Sequence, residues 1–195
     1  MKKIGLIFLC CLVCGVLASA LPAPLADYAA KISQVKTLTS NFTEEKHMAL
    51  LTDPLQSQGI FYFDKQAQQL RWQYQKPFNN GFLMEQNRVY RLQNGKKELI
   101  KNAMGRTLAA QMLVWLTLDF DALEKEYTVE VNKNVLTFTP RAQAHKVVKQ
   151  ITVWLDEKNP QLVTQVKMEE PGGDFVLWKF QHTQINPALP EGAFL

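Results

Sequence analysis

No cysteine follows Cys14 in this chain. Beyond that point a disulfide framework, a thiolate nucleophile and a cysteine-bound metal are all excluded. Serine is nearly as scarce. Past Ser19 only Ser33, Ser40 and Ser57 remain, and none sits in a nucleophile-elbow context. His47, His145 and His182 lie far apart, without the paired spacing of a metal site, and read as surface or half-buried imidazoles. The acidic pairs Glu44-Glu45, Asp156-Glu157 and Glu169-Glu170 are adjacent in sequence. On strands, neighbouring side chains point to opposite faces, so these pairs make poor acid/base dyads. Pro171-Gly172-Gly173 reads as a hairpin turn and not as a phosphate cradle. An excess of one charge sign is missing too. The formal charge is +4, and it falls to +2 without Lys2 and Lys3, too weak a field to steer nucleic acid. The expectation is a protein that is not an enzyme, with no catalytic residue, cofactor, metal or nucleic-acid partner.

Only one long apolar run exists, Ile4 to Leu17, preceded by Lys2-Lys3 and followed by the small-x-small triplet Ala18-Ser19-Ala20. That layout is a secretory signal peptide over residues 1–20. The run is shorter than the roughly 17–25 residues of a membrane span. Cys11 and Cys14 follow Cys10 and Val13 rather than a small residue, which argues against lipidation. Cleavage after residue 20 of 195 leaves 175, in the range of one domain, 21–195, working outside the cytoplasm. Without disulfides that domain relies on its apolar core.

Leu25, Tyr28, Ala29, Ile32 and Val35 share one face of a predicted helix over 25–35. The period then changes to two. Strands are predicted at Phe42–His47, Gly59–Phe63, Leu70–Tyr74, Phe82–Glu85 and Arg88–Leu92, with turns at Thr52-Asp53-Pro54, Pro77 to Gly81 and Asn94-Gly95. Thr107–Leu118 reads as a helix with Leu108, Met112 and Trp115 on its apolar face. A shorter helix follows through Ala122, Leu123 and Glu126. Five further strands are predicted at Tyr127–Val131, Val135–Thr139, Val147–Leu155, Leu162–Met168 and Phe175–Phe180. Ten strands at hairpin spacing with two helical regions argue for a mainly β, α+β domain: one strongly curved antiparallel sheet with helices against one side. Several strands are apolar on both faces. Phe61 and Phe63 oppose Ile60 and Tyr62, and Phe175 and Leu177 oppose Val176 and Trp178. This fits either an ordinary covered sheet or a sheet curved round an apolar cavity.

In order along the chain stand Leu38-Thr39-Ser40-Asn41-Phe42-Thr43-Glu44, Gly59-Ile60-Phe61-Tyr62-Phe63, Leu70-Arg71-Trp72-Gln73-Tyr74 with Pro77, Phe138-Thr139-Pro140, and Ile185-Asn186-Pro187 with Pro190 and Phe194. This ordered set resembles the LolA family of periplasmic lipoprotein carriers. The resemblance implies an unclosed antiparallel β-barrel of about eleven strands, with a helical lid over an apolar cavity. It implies acylated lipoproteins as cargo, collected from an inner-membrane lipoprotein-releasing ABC transporter and passed to an outer-membrane receptor by a monomeric carrier.

Within the resemblance, Leu70 matches an aromatic at the mouth of the cavity, and Trp72 and Tyr74 continue its lining. Periodicity adds Phe61, Phe63, Met84, Val153, Val166 and Trp178 to the wall, with Leu108, Met112 and Trp115 as the lid. Two departures stand out. The family's Arg-Pro latch to the lid falls at Asp64-Lys65-Gln66, which leaves Lys65 as the cationic donor without the guanidinium fork. The family's glutamine in the first strand is Glu44. Two alternatives stay open: a LolA-like lipid- or glycolipid-binding protein of a specific envelope pathway, and a non-catalytic envelope sensor or scaffold.

Overall fold

The computed structural model describes residues 23–86, 88–101, 120–141 and 148–195. The expected signal peptide, the predicted helix over 107–118 with Leu108, Met112 and Trp115, and His145 lie outside the described residues. Among the described residues the elements are α1 (Ala23–Ser33), β1 (Thr37–His47), β2 (Leu55–Asp64), β3 (Gln69–Lys76), β4 (Asn80–Glu85), β5 (Arg88–Gln93), β6 (Lys96–Leu99), α2 (Phe120–Glu126), β7 (Tyr127–Asn132), β8 (Val135–Pro140), β9 (Gln150–Leu155), β10 (Val163–Glu169) and β11 (Phe175–Ile185). No described helix is long and apolar enough to cross a membrane.

All eleven strands form one antiparallel sheet in the order β6-β5-β4-β3-β2-β1-β11-β10-β9-β8-β7. The first and last strands in sequence, β1 and β11, pair at its centre, and β6 and β7 are left as unpaired edges. The sheet is therefore not closed. Edge strand β6 has four exposed residues, beginning with Lys96 and Lys97, a composition that discourages pairing with another chain.

Why do distant strands touch? Trp72 on β3 and Phe180 on β11 are three strand spacings apart, roughly 14 Å on a flat sheet. Their ring centroids lie 6.2 Å apart. The sheet curls toward that face, and its side chains converge. On this inner face two core clusters form. One holds Leu38, Phe42, Phe61, Phe63, Leu70, Trp72, Met84 and Val89; the other holds Leu123, Leu136, Phe138, Ile151, Val153, Leu155 and Val166. Helix α1 and the residues just after it touch both, because Ile32 enters the second cluster and Val35, past the helix end, enters the first.

The apolar residues of the outer face have their own partners. Arg71 alternates outward from Leu70 and Trp72, and its Nη1 donates to the carbonyls of Ala193 and Leu195 at 3.4 and 2.5 Å. The last residues of the chain thus lie over that face, where Leu83 and Leu92 are also buried. At β3 to β5 the sheet is therefore covered on both faces.

Gly59 is a position where sterics admit no side chain. It stands opposite Phe42 on one neighbour and Tyr74 on the other. A Cβ there would collide with the Gln73 carbonyl oxygen and lie 2.6 Å from the Phe42 ring. That ring crosses the gap to stack on Trp72 at 4.1 Å. Gly59→Ala is expected to lower stability by about 1–3 kcal/mol through overpacking. A urea midpoint equal to that of the parent protein would contradict this account.

Candidate functional site

Register explains how the inner wall is assembled. Cross-strand partners share a face, so each hydrogen-bonded row is a line of neighbouring side chains. One row runs Leu38, Phe63, Leu70, Met84, Val89 across β1 to β5. The next runs Ser40, Phe61, Trp72, Phe82. A third runs Leu136, Val153, Val166, Trp178, Glu44, Ser57 across β8 to β2 through the centre of the sheet. All nine residues expected in the wall therefore share one face. Phe61, Phe63, Leu70, Trp72, Met84, Val153 and Val166 are buried, and Tyr74 and Trp178 are half-buried. Leu70 has no exposed surface in this state, and lies between Phe63 and Met84 on its row.

The wall is mostly aromatic around Trp72. Its ring stacks on Phe42 at 4.1 Å, Phe61 at 5.7 Å and Phe82 at 6.3 Å, and meets Phe180 edge-on. Phe180 and Trp178 also pack against both core clusters and join them. Sequence reasoning left Phe42, Phe82 and Phe180 out of the wall, although their parity matches that of Phe61, Trp72 and Trp178. Past Phe82 the second row continues to Arg91 and Glu98, which help line an open depression of about 360 Å³ at the β5–β6 edge.

One polar cluster interrupts the apolar face. Glu44 and Glu45 point to opposite faces, as adjacent strand residues must. Outward, Glu45 takes the Lys179 ammonium at 2.8 Å, and that hydrogen bond holds its carboxyl below the usual range. Inward, Glu44 has no cation within salt-bridge range among the described residues. Its Oε2 accepts from the Tyr74 hydroxyl and from the Trp178 indole N–H, each at 2.6 Å. Burial first, and then the Glu44 charge, push the Tyr74 hydroxyl far above its ordinary range, so it stays a proton donor. Trp72 completes the group. Its Nε1 lies near enough to the Tyr74 oxygen to oppose that rise, yet forms no hydrogen bond among the described residues. An orphaned buried donor costs about 1–3 kcal/mol. Glu44 stood out in the sequence as one of an adjacent acidic pair and as a replaced glutamine; no local signal gave its partners.

The junction of α1 and β1 is tied at several points. Lys65, in the turn after β2, donates from Nζ to the Ser33 carbonyl at 3.0 Å. The end of a helix carries partial negative charge on its free carbonyls, which suits an ammonium. Asn186 acts on the next residues. Its Oδ1 accepts from the backbone N–H of Lys36 at 2.6 Å and of Thr37 at 3.3 Å, and its own φ of 56° is one that asparagine tolerates better than most residues. The Ile185-Asn186-Pro187 motif thus has a structural role that the sequence reading did not assign. Among the described residues no group of three or more His, Cys, Asp or Glu side chains is placed to hold a metal.

The family described as outer membrane lipoprotein carrier protein LolA matches residues 33–195, which includes every strand of the sheet. Among solved structures, a chain of the Pseudomonas aeruginosa MucA/MucB complex superposes with a TM-score of 0.56 at 13% identity, over 89% of this chain and 60% of that one. This chain therefore spans less than two thirds of the length of that relative. The Mycobacterium tuberculosis lipoprotein LppX gives 0.51 at 11% identity, over 88% of this chain and 99% of LppX. A DUF1329 family protein from Desulfovibrio piger gives 0.51 at 12% identity, over 88% and 95%. At such identities the likeness is one of fold. No curated protein matches this sequence. With a family match over most of its length and an open sheet of eleven strands, the chain belongs to the LolA family.

Proposed function

We propose that this protein is a periplasmic carrier that shields the acyl chains of lipoproteins between the inner and outer membranes. Residues 1–20 are its signal peptide and 21–195 its single carrier domain. It works as a monomer without cofactor or catalytic group, receiving cargo from an inner-membrane lipoprotein-releasing ABC transporter and yielding it to an outer-membrane receptor. The observation that supports this most directly is the broad apolar inner face, interrupted by the Glu44 cluster, on which α1 and the following Val35 pack, with Lys65 among the ties at the helix end. Each methylene kept from water is worth about 0.8 kcal/mol, so a multiply acylated anchor needs a wall of that extent. Because the rings fill this face in the present state, cargo enters by parting them and lifting the helical cover, with Leu108, Met112 and Trp115 as the lid side chains. Methionine and aromatic side chains repack around such a ligand at low cost.

A second reading, a LolA-like carrier of another envelope lipid, draws support from the same tie. Lys65 supplies one donor where the family's arginine fork supplies several, so the cover is held more loosely. The two readings separate in a release assay. Purified protein added to spheroplasts is expected to bring lipoproteins into a soluble one-to-one complex. If the folded protein releases none but extracts other lipid, the second reading takes over.

Two substitutions probe the geometry. Phe82 is half-buried on the wall, so Phe82→Glu is expected to cost about 1.5–3 kcal/mol of burial while weakening acyl-probe binding at least about tenfold. Parent-like binding by the folded variant would remove this face from the acyl site. Lys65→Leu deletes the cation at the α1 terminus and is expected to speed amide exchange in α1 a few-fold and to quicken cargo release. Exchange and release rates identical to the parent would leave Lys65 as an ordinary turn residue.

A further inference from the structure

We propose that Trp72, Tyr74, Glu44 and Trp178 form a polar subsite within the apolar wall that binds the amide linkage of an N-acylated ligand. The inference rests on the acyl-binding reading above and adds which part of the ligand is recognised. Two unfilled hydrogen-bonding positions define it. The Trp72 indole N–H is a buried donor without an acceptor among the described residues, on a residue that is only 1% exposed. Phenylalanine would leave no such group, so the indole here carries a hydrogen-bonding capacity that its stacking on Phe42 and Phe61 does not use. The second position is on Glu44. Both protein donors, Tyr74 and Trp178, converge on Oε2, and Oε1 has no partner among the described residues. The carboxylate is an acceptor only, and it is half-buried in an aromatic setting without a counter-cation.

The two positions are complementary: a buried donor, and a solvent-reachable acceptor oxygen that no described side chain occupies. A secondary amide fills both, giving its carbonyl oxygen to Trp72 and its N–H to Glu44 Oε1. An ester fills only the first. A hydrocarbon or ether chain fills neither well. Tyr74 stays protonated beside Glu44, which keeps the hydroxyl committed to Oε2 and leaves Oε1 for the ligand. The apolar wall then takes the chain, while the subsite sets how deep the chain sits.

The test measures displacement of a fluorescent fatty-acyl probe by three ligands of equal chain: N-methyl palmitamide, methyl palmitate and hexadecyl methyl ether. With the unaltered protein the order amide, ester, ether is expected, each step worth about fivefold, the size of one net hydrogen bond. W72F should abolish the advantage of ester over ether and leave the amide with only the advantage of its bond to Glu44, because packing changes affect all three ligands alike. E44Q gives a sharper outcome. Tyr74 and Trp178 require an acceptor, so the glutamine oxygen takes the place of Oε2 and its NH2 stands where Oε1 stood. That donor repels an amide N–H, and the ester is expected to bind better than the amide. If the ligands rank equally in all three proteins, the subsite is overturned while acyl binding stands. If none displaces the probe, or the probe itself does not bind, the acyl-binding reading fails together with the subsite. Should W72F fail to fold, E44Q alone decides, since the exchange keeps shape and the acceptor for both donors.

Discussion

The curl of an open eleven-stranded sheet is the constraint from which the other features follow. Strands twist with a fixed hand and wide antiparallel sheets coil, so one face becomes smaller than the other. Side chains rooted on strands several places apart are driven together on that inner face. Trp72 and Phe180 meet for this reason, as do Tyr74 and Glu44 across the intervening β2. The crowding also sets limits on sequence. Gly59 has no side chain because the Phe42 ring must lie across it. Because both core clusters face inward, the end of one short helix and the residues just after it reach both, Ile32 from the helix and Val35 from beyond it.

A wall made only of hydrocarbon would accept any apolar chain at any depth. Specific sites usually combine extensive apolar surface with a few placed polar groups that fix orientation. The Glu44 cluster has that character, since it sits in the central row between Trp178 and Ser57, next to Phe42 along β1. Its partners come from β3 and β11, so the cluster also braces the curl at the point where the first and last strands pair. Structure and recognition are coupled at one place: groups that hold the sheet in shape also set the chemistry of its inner face.

Much of the architecture was legible. Period-two alternation located ten strands, and Asn94-Gly95 marked a hairpin whose two turn residues both have positive φ, 52° and 71°. Strand β6 escaped because Lys96-Lys97-Glu98-Leu99 is exposed throughout and shows no alternation. The start of β1 escaped because Thr37, Thr39 and Ser40 look like loop residues; Ser40 is buried by satisfying its hydroxyl on Thr183 at 2.7 Å and on the Gln181 carbonyl. Helix α1 begins and ends two residues earlier than its apolar period suggested, and Val35 stays buried without being helical. The ordered motifs supplied the family where no single motif was specific.

The sequence by itself determined the face to which each strand residue points, since parity is a local property of the extended backbone. That was enough to group Phe61, Phe63, Leu70, Trp72 and Tyr74 on one side, and to separate Glu44 from Glu45 and Arg71 from Trp72. Only the tertiary structure decided which strands became neighbours and how tightly they curled. The pairing of β1 with β11 joins residues more than a hundred positions apart. Hydrogen-bond partners such as Glu44 and Trp178, or Lys65 and the end of α1, therefore depend on a register and a curvature that no local stretch of chain encodes.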